Sequence, residues 1–444
     1  MSDNLTQYQP GLLTRRLTIT ILNQVLSSRH GLENVIATSK AYNQMEERDR
    51  AFIRLLVATT LRRLGQVDSL IRSYLKRPLP KKARAVQDIL RIGTVQIIML
   101  KTPAHAVVDT SVRLCEQTRN PGQKGLVNAV LRKISKEGPE KFFALDSAKL
   151  NTPKWLWESW QIQYGDKTCR AIAEAHLREP LLMLSAKTDP KELSRLLGAE
   201  LTPTGTILLR SGGLVDTLKG YSKGTWWIQD TAAALPAKIL LAAMPCNKKH
   251  RVLDMCAAPG GKTAQLAASG ATVTAIDRSK KRLSTLRENL KRLNLKATIV
   301  TADASTYRPS NTIDGILIDA PCTATGTIRR HPDIARNKRY DDVKRLSQLQ
   351  KKILKNAVDQ LLPGSVLVYS VCSLQSEEGA DLIQRVLAEN DKIKRLPINP
   401  IEFGLPVNLQ TKSGDIQTLP CHFKEHGGMD GFFIARLTRL GSQR

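Results

Sequence analysis

The sequence predicts an α/β protein: a Rossmann-like domain built on a parallel-rich sheet, preceded by an all-helical region. Three observations predict it. From residue 250 onward, apolar strands, Gly-rich turns and helices alternate, the rhythm of a mostly parallel sheet covered on both faces. Residues 11–136 carry helix-period apolar patterns instead. The chain has 444 residues, 41% of them hydrophobic, enough for two or three domains with ordinary cores. We therefore expect a helical domain over 1–140, a mixed connecting subdomain over 141–230 and the sheet domain over 231–444.

In the helical region, Leu55, Leu56, Ala58, Thr59 and Leu61 give one helix an apolar face, and Arg62 and Arg63 give it a basic end. Val86, Ile89, Leu90, Ile92, Gly93, Val95, Gln96, Ile97 and Leu100 suit a second, well-buried helix, with Pro78 and Pro80 breaking the pattern between them. Asn120-Pro121 signals a helix start and leads into Gly125 to Arg132. Asn128 inside that run reads as a polar link in the core rather than an exposed edge.

Over 141–230, Trp155, Trp157 and Trp160 crowd one short helix. That spacing suits a packing anchor between domains better than a stacking platform for bases. Leu181 to Ala186 and Trp226 to Asp230 read as strands, the second feeding a helix from Ala232 to Ala243. Beyond them come strands at Val252–Asp254, Thr272–Asp277, Ile313–Asp319 and Ser365–Val371, with helices at Ser279–Asn294 and Ser347–Leu361. Gly431 to Leu437 is a late apolar strand expected to close one edge of the sheet.

Charge narrows the function classes. The net charge is +28, and residues 1–150 hold 25 Lys and Arg against 12 Asp and Glu, nearly half of the surplus in a third of the chain. Such a surplus points to a polyanion, because cations that neutralise phosphates release condensed counterions. A membrane partner is not expected, since no apolar run approaches the ~20 residues of a span. The start, Met1-Ser2-Asp3-Asn4, is polar and acidic, unlike a secretory signal. Seven cysteines, with no Cys-x-x-Cys pair, argue against a disulfide framework or a zinc site and for reduced, cytoplasmic thiols.

Three clusters at strand ends carry the chemistry. Asp254-Met255-Cys256-Ala257-Ala258-Pro259-Gly260-Gly261-Lys262-Thr263 follows a strand and opens a helix. A P-loop would need glycine where Cys256 stands, and the dinucleotide fingerprint is absent, so a nucleotide-like cofactor without a pyrophosphate remains: S-adenosylmethionine. Asp277 ends the next strand, where an acid can accept from both ribose hydroxyls, and Asp303 ends another, where it could take an adenine amino group. Each alone could equally cap a helix or turn. Asp319-Ala320-Pro321-Cys322 and Tyr369-Ser370-Val371-Cys372 place an aspartate and two cysteines at the same rim, where doubly wound folds hold ligands.

Those residue types suit methylation at C5 of cytosine. C5 is too electron-poor to attack a methyl sulfonium unaided. A thiolate adding to C6 makes C5 enamine-like. An acid at N3 helps the addition, and Asp319 is placed for it, provided its carboxyl carries a proton. A base must then remove the C5 proton so that the thiol can leave, a step in which a second cysteine can assist. On the residues alone, either cysteine could be the one that attacks.

The strings DMCAAPGGKT, DAPCTATGTIRRHPDI, YSVCS and DGFFIARL closely resemble the NOP/Sun family of RNA 5-methylcytosine methyltransferases. The basic N-terminus with NPGQKGLVNAVLRKI is similar to the NusB-like RNA-binding domain of the branch that modifies bacterial 16S ribosomal RNA. The resemblance spans nearly the whole chain. It implies a class I methyltransferase domain in which Cys256, Ala257, Ala258, Pro259, Gly260, Gly261 and Lys262 wrap S-adenosylmethionine. Asp277 would hold the ribose, Asp303 the adenine, and Asp319 would lie beside both cofactor and base. It also implies that Cys372 is the nucleophile and Cys322 the cysteine that aids release. The implied partner is 16S ribosomal RNA, naked or in a partly assembled small subunit, met by a cytoplasmic monomer without a metal. Val371 stands where the family usually has threonine, Thr323 where many members have serine, and Arg336 where a tryptophan is common.

Other readings are a cytosine-C5 methyltransferase for another ribosomal site or transfer RNA, and a non-catalytic assembly factor on the same fold. The second would show lost motif residues, and none of the expected cysteines or aspartates is missing. A P-loop NTPase is disfavoured by Cys256. A protein or small-molecule methyltransferase would explain neither the cysteine pair nor the charge.

Overall fold

The computed structural model describes residues 10–210, 214–245 and 249–441, and the start Met1–Asn4 and Cys246 lie outside them. Helices come first: α1 (Pro10–Ser28), α2 (Leu32–Thr38), α3 (Lys40–Asn43), α4 (Glu47–Arg62), α5 (Leu64–Ser73), α6 (Arg84–Ile98), α7 (Ala104–Glu116), α8 (Lys124–Ala144), α9 (Ser147–Asn151) and α10 (Lys154–His176). Then follow β1 (Leu182–Ala186), α11 (Pro190–Leu197), β2 (Glu200–Leu201), β3 (Ile207–Leu209), β4 (Trp226–Ile228), α12 (Thr231–Ala242), β5 (Arg251–Met255), α13 (Gly261–Ala268), β6 (Thr272–Asp277), α14 (Lys280–Leu293), β7 (Thr298–Thr301) and β8 (Gly315–Asp319). The chain ends with α15 (Ile334–Asn337), α16 (Tyr340–Val358), β9 (Val366–Val371), α17 (Ala380–Ala388), β10 (Ile393–Arg395), β11 (Ile416–Gln417) and β12 (Phe433–Arg439).

Two compact units result: residues up to Arg178 together with Ile328–Lys338, and Glu179–Thr327 together with Arg339 onward. Packing thus shares the stretch 141–230 between them, 141–178 with the helices and 179–230 with the sheet.

The helical unit follows its apolar periodicity. In α4, Ile53, Leu56, Val57, Thr60 and Leu61 are buried at helical spacing, with Glu47 and Asp49 in the first turn and Arg62 in the last, as the helix dipole favours. The apolar face of α6 meets α8 closely. A Cβ on Gly93 would lie 2.9 Å from both Leu131 methyl carbons, so any larger residue there would displace the Leu131 side chain. Asn128 departs from expectation. It is partly exposed and accepts from Arg132 Nε at 3.0 Å, because its turn of α8 faces solvent beside buried Val127 and Val130. Trp160 is fully buried, its ring centroid 5.3 Å from that of His176 on the same helix, so it anchors the helical unit from within.

Residues 328–338 are seated in this unit although the sequence expectation placed them with the sheet. Buried Asp333 accepts from the Leu32 backbone N–H at 3.3 Å, Arg336 donates to the Asn151 carbonyl at 2.9 Å, and Asn337 donates to the His30 carbonyl at 3.0 Å. Burial raises the Asp333 carboxyl above its usual range and pushes Arg336 down to about 10.

The second unit carries a small antiparallel sheet, β2-β3-β1-β4, and the main sheet, ordered β10-β12-β9-β8-β5-β6-β7, with β11 paired to β12. Strands β9, β8, β5, β6 and β7 run parallel. All six residues of β9 are buried, the continuous run expected of a parallel strand covered on both faces. On α14, Leu283, Leu286, Leu290 and Leu293 form the buried stripe, Ser279 caps the start by accepting from Arg282 N–H, and Asn294 ends the helix at φ 49°. One expectation fails: β12 is not an edge strand but lies antiparallel between β9 and β10. The outer strand, Ile393–Arg395, is three residues long and too short to show a period. The helix expected from Ser347 begins at Tyr340, because the Asp342 carboxylate accepts from the Arg339 N–H at 3.0 Å and Asp341 and Asp342 place acids in the first turn. Strand order reverses between β5 and β8, which opens a crevice at their carboxyl ends. Among the described residues no helix is long and apolar enough to cross a membrane.

Candidate active site

The Gly-rich turn sits at the carboxyl end of β5. Asp254 is fully buried there; its Oδ2 accepts from Thr263 Oγ1 at 2.6 Å, and its Oδ1 has no hydrogen-bond partner. Burial pushes its carboxyl up to about 7. Cys256 takes a left-handed conformation, the Ala257 N–H donates to the Ile276 carbonyl at 2.9 Å, and the Ala258–Pro259 peptide is cis. Gly260, at φ 103°, has Leu286 so close behind it that a Cβ would come within 2.9 Å. Burial, aided by Asp277, Asp319 and Asp254, raises the Cys256 thiol far above its usual range, so it stays protonated.

Asp277 is 3% exposed at the end of β6. Its Oδ1 accepts from the Ser279 N–H at 2.9 Å and its Oδ2 from Arg282 Nη1 at 3.0 Å. The other Arg282 nitrogen donates to the Ala258 carbonyl, so Arg282 ties the acid of β6 to the turn after β5. Asp303 lies two residues beyond β7 and is exposed. Its Oδ1 accepts from Ser305 N–H at 2.8 Å and Ser305 Oγ at 2.7 Å, bonds that hold its carboxyl below the usual range.

Asp319 closes the crevice from β8. It pairs with Lys262 at 2.7 Å and accepts from Ser370 Oγ at 3.3 Å. The lysine that mimics a P-loop therefore crosses from the head of α13 to the neighbouring strand. Three residues further on, Cys322 Sγ lies 3.4 Å from Cys372 Sγ, which follows β9. The hydrogen bond with Cys372, together with burial, raises the Cys322 thiol well above its usual range.

The structure thus joins Asp254, Lys262 and Asp319 in one crevice and Cys322 with Cys372 at its mouth, while Asp303 bonds only within its loop. A concave turn with a glycine at its tightest point, a buried carboxylate oxygen without a partner and an acid ending the next strand fit an adenosine-bearing cofactor such as S-adenosylmethionine. Sequence reasoning missed Arg282, and also Glu378, which accepts from the Thr323 N–H beside Cys322, and Gln350, which donates to that carboxylate. The first could have been suspected from its place one turn into the helix after Asp277. The other two carry no local signal.

Comparisons with known proteins match both parts of the chain. Residues 240–438 match the family model described as 16S rRNA methyltransferase RsmB/F, and residues 13–136 match the NusB family. Ribosomal RNA small subunit methyltransferase B of Salmonella paratyphi A is 33% identical over 442 residues, 96% of this chain and 98% of its own. Its counterpart in Salmonella newport is 34% identical over 444 residues with the same shares. Among solved structures, PH0851 superposes with a TM-score of 0.74 at 21% identity, over 97% of this chain and 99% of its own, a likeness of fold. A methyltransferase homolog protein from Pyrococcus horikoshii gives 0.52 at 25% identity, over 70% of this chain and 98% of its own.

Proposed function

Since the chain belongs to the RsmB/F family of 16S rRNA methyltransferases, we propose that it methylates C5 of one cytosine in 16S ribosomal RNA through a covalent bond from Cys372 to C6. The observation that carries this reading is the facing pair of sulfurs, 3.4 Å apart, one three residues past Asp319 and the other one residue past β9. S-adenosylmethionine, when bound, supplies an electrophilic methyl group on a sulfonium. Cys256 to Lys262, with Asp277, Asp303 and Asp319, would hold it.

Cys372 acts as a thiolate. Its sulfur forms a bond to C6 while the C5–C6 π electrons shift into the ring toward N3. Asp319 stands at N3, where negative charge gathers, and passes a proton to it. The carboxyl must carry a proton to donate one, and the Lys262 ammonium at 2.7 Å is the proton-bearing group beside it. Once C5 is methylated, Cys322 takes the C5 proton. The freed electron pair restores the C5–C6 double bond and expels the Cys372 thiolate. Burial and the bond with Cys372 raise the Cys322 thiol, which makes its thiolate a strong base but one that takes the C5 proton only after releasing its own.

We place the protein in the cytoplasm as a monomer that meets 16S RNA, naked or in a partly assembled subunit. The basic helical unit, with its match to the NusB family, supports an RNA-docking role. Bisulfite sequencing of ribosomal RNA from cells with and without the gene tests the reading. One protected cytosine in 16S RNA should become convertible when the gene is lost. An unchanged 16S pattern overturns the assignment, and a change confined to another RNA moves the substrate there.

A further inference from the structure

We propose that Glu378 is a positioning residue that holds the two cysteine-bearing loops in register. The inference rests on the covalent reading above. Glu378 lies just ahead of α17 and is wholly buried. Its Oε1 accepts from the Thr323 N–H at 2.9 Å and from Gln350 Nε2 at 3.0 Å. Its Oε2 accepts from Ser373 Oγ at 2.5 Å and from the Thr323 hydroxyl.

Thr323 directly follows Cys322, and Ser373 directly follows Cys372. One carboxylate therefore ties the residue after one sulfur to the residue after the other. Gln350 extends the brace, since the same amide donates to the Pro321 carbonyl at 2.9 Å, on the other side of Cys322. The brace is itself anchored: the Tyr369 hydroxyl donates to the Glu378 carbonyl at 2.7 Å. Four donors meet the four lone-pair sites of a carboxylate, which is what lets so buried an acid persist. Burial raises this carboxyl above its usual range, and the bonds from Ser373 and Thr323 oppose that rise. Having no exposed surface, Glu378 acts through its neighbours and not on the base.

A side chain that merely filled this space would leave the Thr323 N–H an unpaired buried donor. Glutamine would not. Its carbonyl can keep the Thr323 N–H and Gln350 bonds, and its NH2 can donate to the two hydroxyls, which accept as readily as they donate. Shape and bonds then survive while the charge is lost.

The test reads the sulfur pair directly. Dibromobimane fluoresces once both of its bromomethyl arms have alkylated thiols and lost bromide, so its signal reports two thiols held close together. The full-length protein should bridge Cys322 to Cys372, with peptide mass spectrometry locating the link and C372S abolishing it. E378A should bridge roughly tenfold more slowly, while E378Q should stay near the wild-type rate. If E378A does not fold by circular dichroism, T323V combined with S373A removes two of the four donors and should slow bridging likewise. Wild-type bridging rates in the folded variants overturn the proposal, as does a loss in E378Q equal to that in E378A. Covalent trapping on a 16S transcript containing 5-fluorocytosine runs beside it. Bridging that depends on Glu378 without any trapped adduct in wild type would keep the brace and defeat the covalent reading.

Discussion

Cys322 and Cys372 face each other across 3.4 Å from the ends of adjacent parallel strands, although 50 residues separate them in sequence. If one attacks and the other releases, single substitutions separate them. Cys372→Ala should abolish methyl transfer and form no RNA adduct. Cys322→Ala should still attack and methylate, then stall, so that a slow band accumulates on a denaturing gel, dependent on cofactor and RNA. An adduct in Cys372→Ala but not in Cys322→Ala would exchange the roles. Activity retained in both would defeat the covalent route.

Asp277 is held by Ser279 and Arg282, and Arg282 also bonds the Gly-rich turn. Asp277→Ala should weaken S-adenosylmethionine binding by about 1–3 kcal/mol, the cost of leaving buried donors unpaired. Asp277→Asn, which can still accept from Ser279, should lose less. Titration calorimetry giving unchanged affinity for both removes Asp277 from the ribose site.

His176 is buried against Trp160, and its Nε2 has no hydrogen-bond partner. Burial, with the nearby Arg329 charge, pushes its pKa down to about 3 from an ordinary 6.5. The unfolded chain therefore takes up the proton first. The stability tied to the neutral imidazole is fully present above pH 6.5 and drains away as pH falls toward 3, by up to about 1.4 kcal/mol per pH unit. Urea unfolding should show the wild type losing about 2 kcal/mol more than His176→Phe between pH 8 and pH 5. Parallel losses would mean that the imidazole is reached by solvent in the folded state.

Beside α7 and α8 runs a groove of about 700 Å³ lined by His105, Lys124, Arg132, Lys133 and Lys136, among others. Lys124 is paired with Glu116 and Arg132 with Asn128, whereas Lys133 and Lys136 are exposed. If RNA phosphates lie there, replacing both Lys133 and Lys136 with glutamine should flatten the slope of log K against log salt by roughly 1.4 for single-stranded RNA. Cofactor affinity should stay unchanged. An unaltered slope in filter binding across salt places the RNA elsewhere. These substitutions are a cleaner probe than deleting the helical region, because Ile328 and Ala335 are buried within it.

Much of the site could be read because its residues end elements that announce themselves. Asp277, Asp319 and Cys372 each follow an apolar run long enough to show a strand, and Gly260-Gly261 marks the turn. The brace around the sulfurs could not be read. Thr323 and Glu378 are 55 residues apart, and Gln350 reaches Glu378 from another helix. Nothing in the local pattern of a polar residue tells which distant partner it will meet. Asn128 was misjudged for a related reason: an apolar run of helix leaves open which of its positions faces out. The place of β12 depended on a three-residue neighbour without a period of its own.

The seat of residues 328–338 among the helices has a consequence for the order in which the molecule is made. The helical unit runs continuously only to Arg178, and its last piece ends at Lys338. A ribosome adding ~5–20 residues per second needs on the order of ten to thirty seconds to bridge that gap. Throughout that interval the nascent helices offer the Leu32 N–H and the Asn151 carbonyl with neither Asp333 nor Arg336 to meet them. The first domain to emerge is therefore not the first to be finished: it waits, open at one seam, for a strap delivered by the polypeptide that follows.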